Sequence, residues 1–129
     1  MGPIVDGDQA FGVASGNNIS SLINKVIENE SIKALVLRIN TPGGSVFASE
    51  LIRDALLRLK DKKIPIVTSM GGVAASGGYW IATTADKIFA SYGSIVGSIG
   101  VSGPSWFYYD TPVSLSSGIF SQSIETKNG

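Results

Sequence analysis

The sequence predicts an α/β domain with a mostly parallel sheet flanked by helices. Two apolar runs of strand length carry the prediction, Lys33-Ala34-Leu35-Val36-Leu37-Arg38-Ile39-Asn40 and Ile64-Pro65-Ile66-Val67-Thr68-Ser69. Between them Leu51, Ile52, Ala55, Leu56 and Leu59 recur at helical spacing. A helix joining two consecutive strands implies a right-handed crossover and parallel pairing.

Taken in order, residues 3–5 read as a short strand, and residues 12–18 as a Gly/Ser/Asn loop. A helix is expected from Ser20, because Leu22, Ile23, Val26 and Ile27 share one face. The run at residues 33–40 is apolar enough for a strand covered on both faces. Thr41-Pro42-Gly43-Gly44-Ser45 breaks it. The second helix closes in Lys60, Lys62 and Lys63, cations that suit the negative end of its dipole. The strand at residues 64–69 is expected to give way to a Gly/Ala turn, with a third helix over residues 77–84. Short strands at residues 87–90 and 94–101 complete the pattern, which fades beyond Gly103. Trp106-Phe107-Tyr108-Tyr109 and the Ser/Gly-rich residues 114–118 form no periodic element.

With 129 residues, one domain over 1–129 is expected. Both ends read as cut, so the chain is expected to be part of a longer protein. Lys+Arg and Asp+Glu number 10 each, with no basic stripe or polybasic run, which argues against nucleic acid and anionic lipid as partners. Mean hydropathy is +0.25 and only 16% of residues are charged, so apolar surface is expected to be buried against other subunits or a parent chain. There is no cysteine and no histidine, which removes thiol catalysis and the usual zinc ligands; no cofactor is expected. No apolar run approaches the roughly 20 residues of a membrane span, so any membrane attachment would use parts outside this chain.

Met70-Gly71-Gly72-Val73-Ala74-Ala75-Ser76-Gly77-Gly78-Tyr79-Trp80 sets a serine among small residues between a strand and a helix. If Ser76 is a nucleophile, its proton must go to something other than imidazole, and a lysine kept neutral by burial is the usual substitute. The Gly77 N–H at the helix start and an N–H from Gly43 or Gly44 could receive a developing oxyanion. Two plainer readings stand beside this one. A serine opening a helix commonly acts as a cap, and Pro-Gly-Gly occurs in any tight turn. Among the lysines, Lys60, Lys62 and Lys63 form a solvated run, Lys25 lies on a polar helix face, and Lys33 and Lys87 begin strands at the far edge of the sheet. Lys127, near the end of the sequence, is the candidate that remains.

Three segments together resemble the signal peptide peptidase A (protease IV) family of bacterial serine proteases. They are residues 34–45, residues 69–82 and Gly97-Ser98-Ile99-Gly100-Val101, and the resemblance spans residues 2–101. It implies a ClpP/crotonase-like fold and a Ser–Lys dyad with Ser76 as nucleophile. It also implies oxyanion donors at Gly77 and the Gly43/Gly44 turn, and a lysine-orienting role for Ser98. Implied substrates are released signal peptides and other short apolar peptides. Implied context is the extracytoplasmic face of the bacterial inner membrane, in a homo-oligomer. In short family members the lysine lies a few residues beyond a segment like Lys127-Asn128-Gly129. In double-length members it comes from the first of two halves, and this chain looks closest to the second. The resemblance thus implies a base outside this chain and an isolated chain with negligible activity. Two alternatives remain: a non-catalytic ClpP-like scaffold for assembly or peptide binding, and a crotonase-type acyl-thioester enzyme.

Overall fold

Apolar runs and amphipathic stretches alternate along the chain, and they fold into parallel strands joined by helices. The computed structural model describes residues 2–9 and 13–100. The elements are β1 (Ile4–Val5), β2 (Ala14–Ser15), α1 (Gly16–Glu28), β3 (Leu35–Thr41), α2 (Val46–Asp61), β4 (Ile66–Ala75), α3 (Gly77–Ala82), β5 (Lys87–Phe89) and β6 (Ile95–Gly97). Every strand pairing among the described residues is parallel.

The long strand β4 is the axis of the sheet. β3 lies along one side, in register from Leu35 opposite Ile66 to Thr41 opposite Ala74, with a register shift between Ile39 and Thr41. On the other side β5 pairs with Val67, Thr68 and Ser69, and β6 then pairs with Val73, Ala74 and Ala75. β1 and β2 form a separate small ladder.

Helix α2 covers the sheet with Ile52, Ala55, Leu56 and Leu59, packed among Ile39, Ile66, Met70 and Ala74 of the strands and Ile23 of α1. Each such isoleucine, leucine or methionine, fully buried, stabilises the fold by about 1.5–3 kcal/mol relative to exposure. The opposite face differs from the expectation of a strand covered on both sides. Val36 is 71% exposed, and Arg38 beside it donates to Ser69 Oγ at 2.7 Å. Among the described residues, one face of β3 is packed and the other is open.

Several boundaries also differ: the third helix closes at Ala82 and the last strand is Ile95–Gly97, both shorter than expected. α1 begins at Gly16, four residues before Ser20, because Ser15 caps it by accepting the Asn18 N–H at 3.3 Å. β4 runs on to Ala75, through the Gly/Ala stretch expected to turn, because β3 and β6 give it partners there. The residues around Trp106 and residues 114–118 lie outside the described residues.

Candidate active site

Because β3, β4 and β6 are parallel and aligned, they end at one edge, and Ser45, Ser76 and Ser98 follow close upon those ends. Gly97 pairs with Ala75, and its carbonyl accepts the Ser76 N–H at 2.7 Å. Ser98 therefore leaves its strand next to the point where Ser76 leaves β4. Ser98 is exposed and, like Ser76, has a positive φ, 53° against 50°.

Ser76 is the sharp turn between β4 and α3, with φ 50° and ψ −122°. A residue bearing a Cβ is strained in this region by about 1–3 kcal/mol. Its side chain makes no capping hydrogen bond to α3. The capping role that sequence leaves open for Ser76 thus lacks its hydrogen bond, and among the described residues the hydroxyl has no partner.

The Gly43–Gly44 turn is held against Ser76 from two sides. Ile4 donates its N–H to Gly43 O at 2.8 Å and accepts the Ser45 N–H at 2.9 Å, so Gly44 is the residue opposite Ile4. In a parallel ladder the N–H of that opposite residue points away from the bracing strand. Thr41, buried, accepts the Gly43 N–H at 3.2 Å through Oγ1 and donates the same hydroxyl to Gly2 O at 2.7 Å. Of the two glycines named from the sequence, Gly43 has its N–H engaged. Among the described residues no acceptor takes the N–H of Gly44 or of Gly77.

Close approach explains the glycines. A Cβ on Gly43, whose φ is +103°, would lie 2.6 Å from the Ser76 Cβ and 3.0 Å from the Gly77 nitrogen. A Cβ on Gly77 would lie 2.2 Å from Ser49 Oγ. A larger residue at Gly43 would push the turn and the nucleophile candidate apart, and one at Gly77 would press on Ser49 of α2.

These pieces border a cavity of ≈ 320 Å³, with Ser76, Gly77 and Gly44 on one side and Val46, Trp80 and Ile99 forming apolar wall. Ser49 and Glu50 of α2, together with Gly100, complete the lining. Trp80 and Glu50 were not singled out by the sequence. Their signal was spacing: Trp80 follows Ser76 by one helical turn, and Glu50 follows Val46 by one.

None of the six described lysines lines the cavity. Lys33 donates to Glu30 O at 2.8 Å, and Lys60 donates to Thr84 O at 3.0 Å and pairs with Asp86. Lys127 lies outside the described residues.

Residues 58–124 match the sequence profile of Peptidase family S49. Protease 4 of Haemophilus influenzae is 47% identical over 100 residues, which is 78% of this chain and 16% of that protein. Protease 4 of Salmonella typhi is 48% identical over 102 residues, 79% of this chain and 16% of that protein. This chain therefore spans about a sixth of the length of those two relatives. Among solved structures, the Pseudomonas malonate decarboxylase hetero-tetramer in complex with coenzyme A superposes with a TM-score of 0.56 at 20% identity, over 66% of this chain and 39% of that one. The fold is thus the ClpP/crotonase-like one that the resemblance implied. By that profile match, the chain belongs to Peptidase family S49.

Proposed function

We propose that this chain is the nucleophile-bearing part of a serine peptidase that cleaves short apolar peptides, released signal peptides among them. One observation carries the reading: a strained serine whose hydroxyl caps nothing opens onto an apolar cavity beside two N–H groups that have no acceptor among the described residues. Strain at a strand-to-helix turn is how a hydroxyl is lifted clear of the backbone in other serine hydrolases.

In this reading the peptide carbonyl sits between Gly44 and Gly77, and an adjoining side chain enters the cavity. Ser76 Oγ attacks the carbonyl carbon while its proton passes to a neutral amine. The oxygen becomes an oxyanion received by the two N–H groups. The tetrahedral intermediate expels the amine half of the substrate, which leaves with a proton. Ser76 keeps the acyl half as an ester, and water then hydrolyses it. Each oxyanion donor contributes on the order of 3–4 kcal/mol to such a step.

The base is a lysine from beyond the described residues, supplied by Lys127 or by a part of a longer parent chain. In this reading Ser98, which follows β6 beside Ser76, orients that amine. Without the amine a serine stays protonated and attacks poorly, so the isolated chain is expected to have negligible turnover. Assembly with the parent chain and with further copies, on the extracytoplasmic face of the bacterial inner membrane, completes the reading. Among the described residues no helix is long and apolar enough to cross a membrane, so attachment would use other segments.

The test is labelling with a serine-reactive acylating probe, mapped by mass, on this chain and on the longer protein that contains it. Label on Ser76 in the longer protein alone supports the nucleophile and an external base. Label in both makes Lys127 the base. Label in neither supports the alternative of a peptide-binding scaffold.

A further inference from the structure

We propose that Trp80, locked in place by Glu50 and Arg53, sets the depth of the cavity beside Ser76 and so the largest peptide side chain it admits. The inference rests on the reading of that cavity as the seat of a substrate side chain.

Trp80 stands one helical turn beyond Ser76, and its N–H closes that turn on Ser76 O at 2.9 Å. The indole therefore lies along the same side of α3 as the serine. Two contacts fix the ring. Its Nε1–H donates to Glu50 Oε2 at 2.5 Å, and the Arg53 guanidinium carbon lies 4.8 Å from the ring centroid. Arg53 Nη1 then pairs with Glu50 Oε1 at 2.9 Å, which links the two clamps. The ring is held at its edge by a carboxylate and across its face by a cation.

Stability alone is a weak reason for this arrangement. Both charged side chains are partly exposed, at 26% for Arg53 and 43% for Glu50, and ion pairs of that kind contribute about 0–1 kcal/mol. A fixed orientation is what two linked contacts on one ring provide. An unclamped indole could swing between rotamers and present a wall of variable position. A clamped one gives the cavity a wall of fixed position, shared with Val46 and Ile99. The occupant this suits is an uncharged aliphatic or aromatic side chain up to a sharp size limit, since an acidic one would face the Glu50 carboxylate.

The test is binding of acetyl-Ala-Ala-X amides, with X as Ala, Val, Leu, Phe or Trp, measured by calorimetry on the chain. Affinity should rise with side-chain size and then drop sharply. Trp80→Ala should shift the largest accepted side chain upward, with at least a tenfold gain for the bulkiest peptide relative to the Leu peptide. Trp80→Phe, which keeps an apolar ring, should give a smaller shift and serves if the alanine variant does not fold. Glu50→Leu, which leaves the ring but unlocks it, should flatten the profile to within about threefold. Glu50→Gln, which retains an acceptor for the indole N–H, should restore the cut-off. An unchanged profile in the Trp80 and Glu50 variants would overturn the proposal, as would a uniform loss of affinity at every size or no binding at all. Acylation of Ser76 in the longer protein with an unchanged profile defeats this inference alone. A size cut-off without acylation defeats the nucleophile reading alone.

Discussion

The two ends of β4 are built from similar materials to opposite effect. At the amino end Lys60 and Asp86 are matched: Lys60 Nζ reaches Thr84 O and Asp86, and Asp86 Oδ2 accepts the Ile66 N–H at 2.7 Å. At the carboxyl end Ser76 caps nothing, and the N–H groups of Gly44 and Gly77 have no acceptor among the described residues. Unmatched polar groups cost stability, so an end that keeps them must be braced by others. Ile4 and Thr41 provide that brace. The contrast teaches where this strand is an anchor and where it is an instrument.

The largest expected effect tests the carboxyl end directly. Ser76→Ala should abolish probe labelling of the longer protein, by at least a thousandfold, while thermal melting stays within a few degrees of the parent. Ser76→Gly should also abolish labelling, yet melt above the alanine variant, because glycine alone is at ease at φ 50°. Equal melting of the two variants would break the claim that the turn is strained.

Next in size is Gly77→Ala. Its new Cβ would meet Ser49 Oγ at 2.2 Å, and overpacking of this kind costs about 1–3 kcal/mol. Denaturant unfolding should show that loss, and the double variant with Ser49→Ala should regain most of it. Strict additivity would mean that the clash is not what excludes a side chain there.

Thr41→Val should lower stability by about 1–3 kcal/mol, because the Gly43 N–H loses its acceptor in a buried site. Thr41→Ser should recover most of it. In the longer protein the valine variant should slow acylation by more than it weakens peptide binding, since it loosens the turn rather than the cavity. A loss in binding alone would break that assignment.

The smallest effect belongs to the amino end. The Ile66 N–H, foremost, and the Lys60 ammonium hold the Asp86 carboxyl below its ordinary value of 3.8. A carboxyl whose folded value is depressed lends stability that is fully present above its unfolded value and is lost as pH falls through the folded one. Melting temperature should therefore decline as pH is lowered from about 4 downward, and Asp86→Asn should show a shallower decline. Labelling of Ser76 at neutral pH should be unchanged in that variant. A change would mean that the two ends are not independent.

How far the sequence revealed this depended on whether the deciding contact was local. β3 and α2 were legible because alternating apolar runs and the spacing of Ile52, Ala55, Leu56 and Leu59 are local signals. The continuation of β4 was not, because Val73, Ala74 and Ala75 are held in a strand by β3 and β6 and not by their own propensity. The start of α1 was hidden behind Gly16-Asn17-Asn18, poor helix formers that Ser15 nonetheless caps. Ser76, Gly43, Gly44 and Gly77 could be named from composition at the strand ends. Which glycine N–H was free could not, since that turns on the Thr41 hydroxyl and on Ile4, 40 residues away from Gly44. Glu50, Arg53 and Trp80 were likewise invisible, because their meeting is a matter of how α2 lies against α3.

The brace at Ile4 has a practical side. The turn carrying the Gly44 N–H is anchored by a two-residue strand through two backbone hydrogen bonds and one buried isoleucine. Such a short strand is a handle on the site: tension applied through residues ahead of it would be felt at the turn before anywhere in the helical core. An affinity tag or immobilising linker joined there is therefore no neutral attachment. Surface-tethered preparations held by that end should differ in reactivity from those held elsewhere, even though the globule behind them is the same.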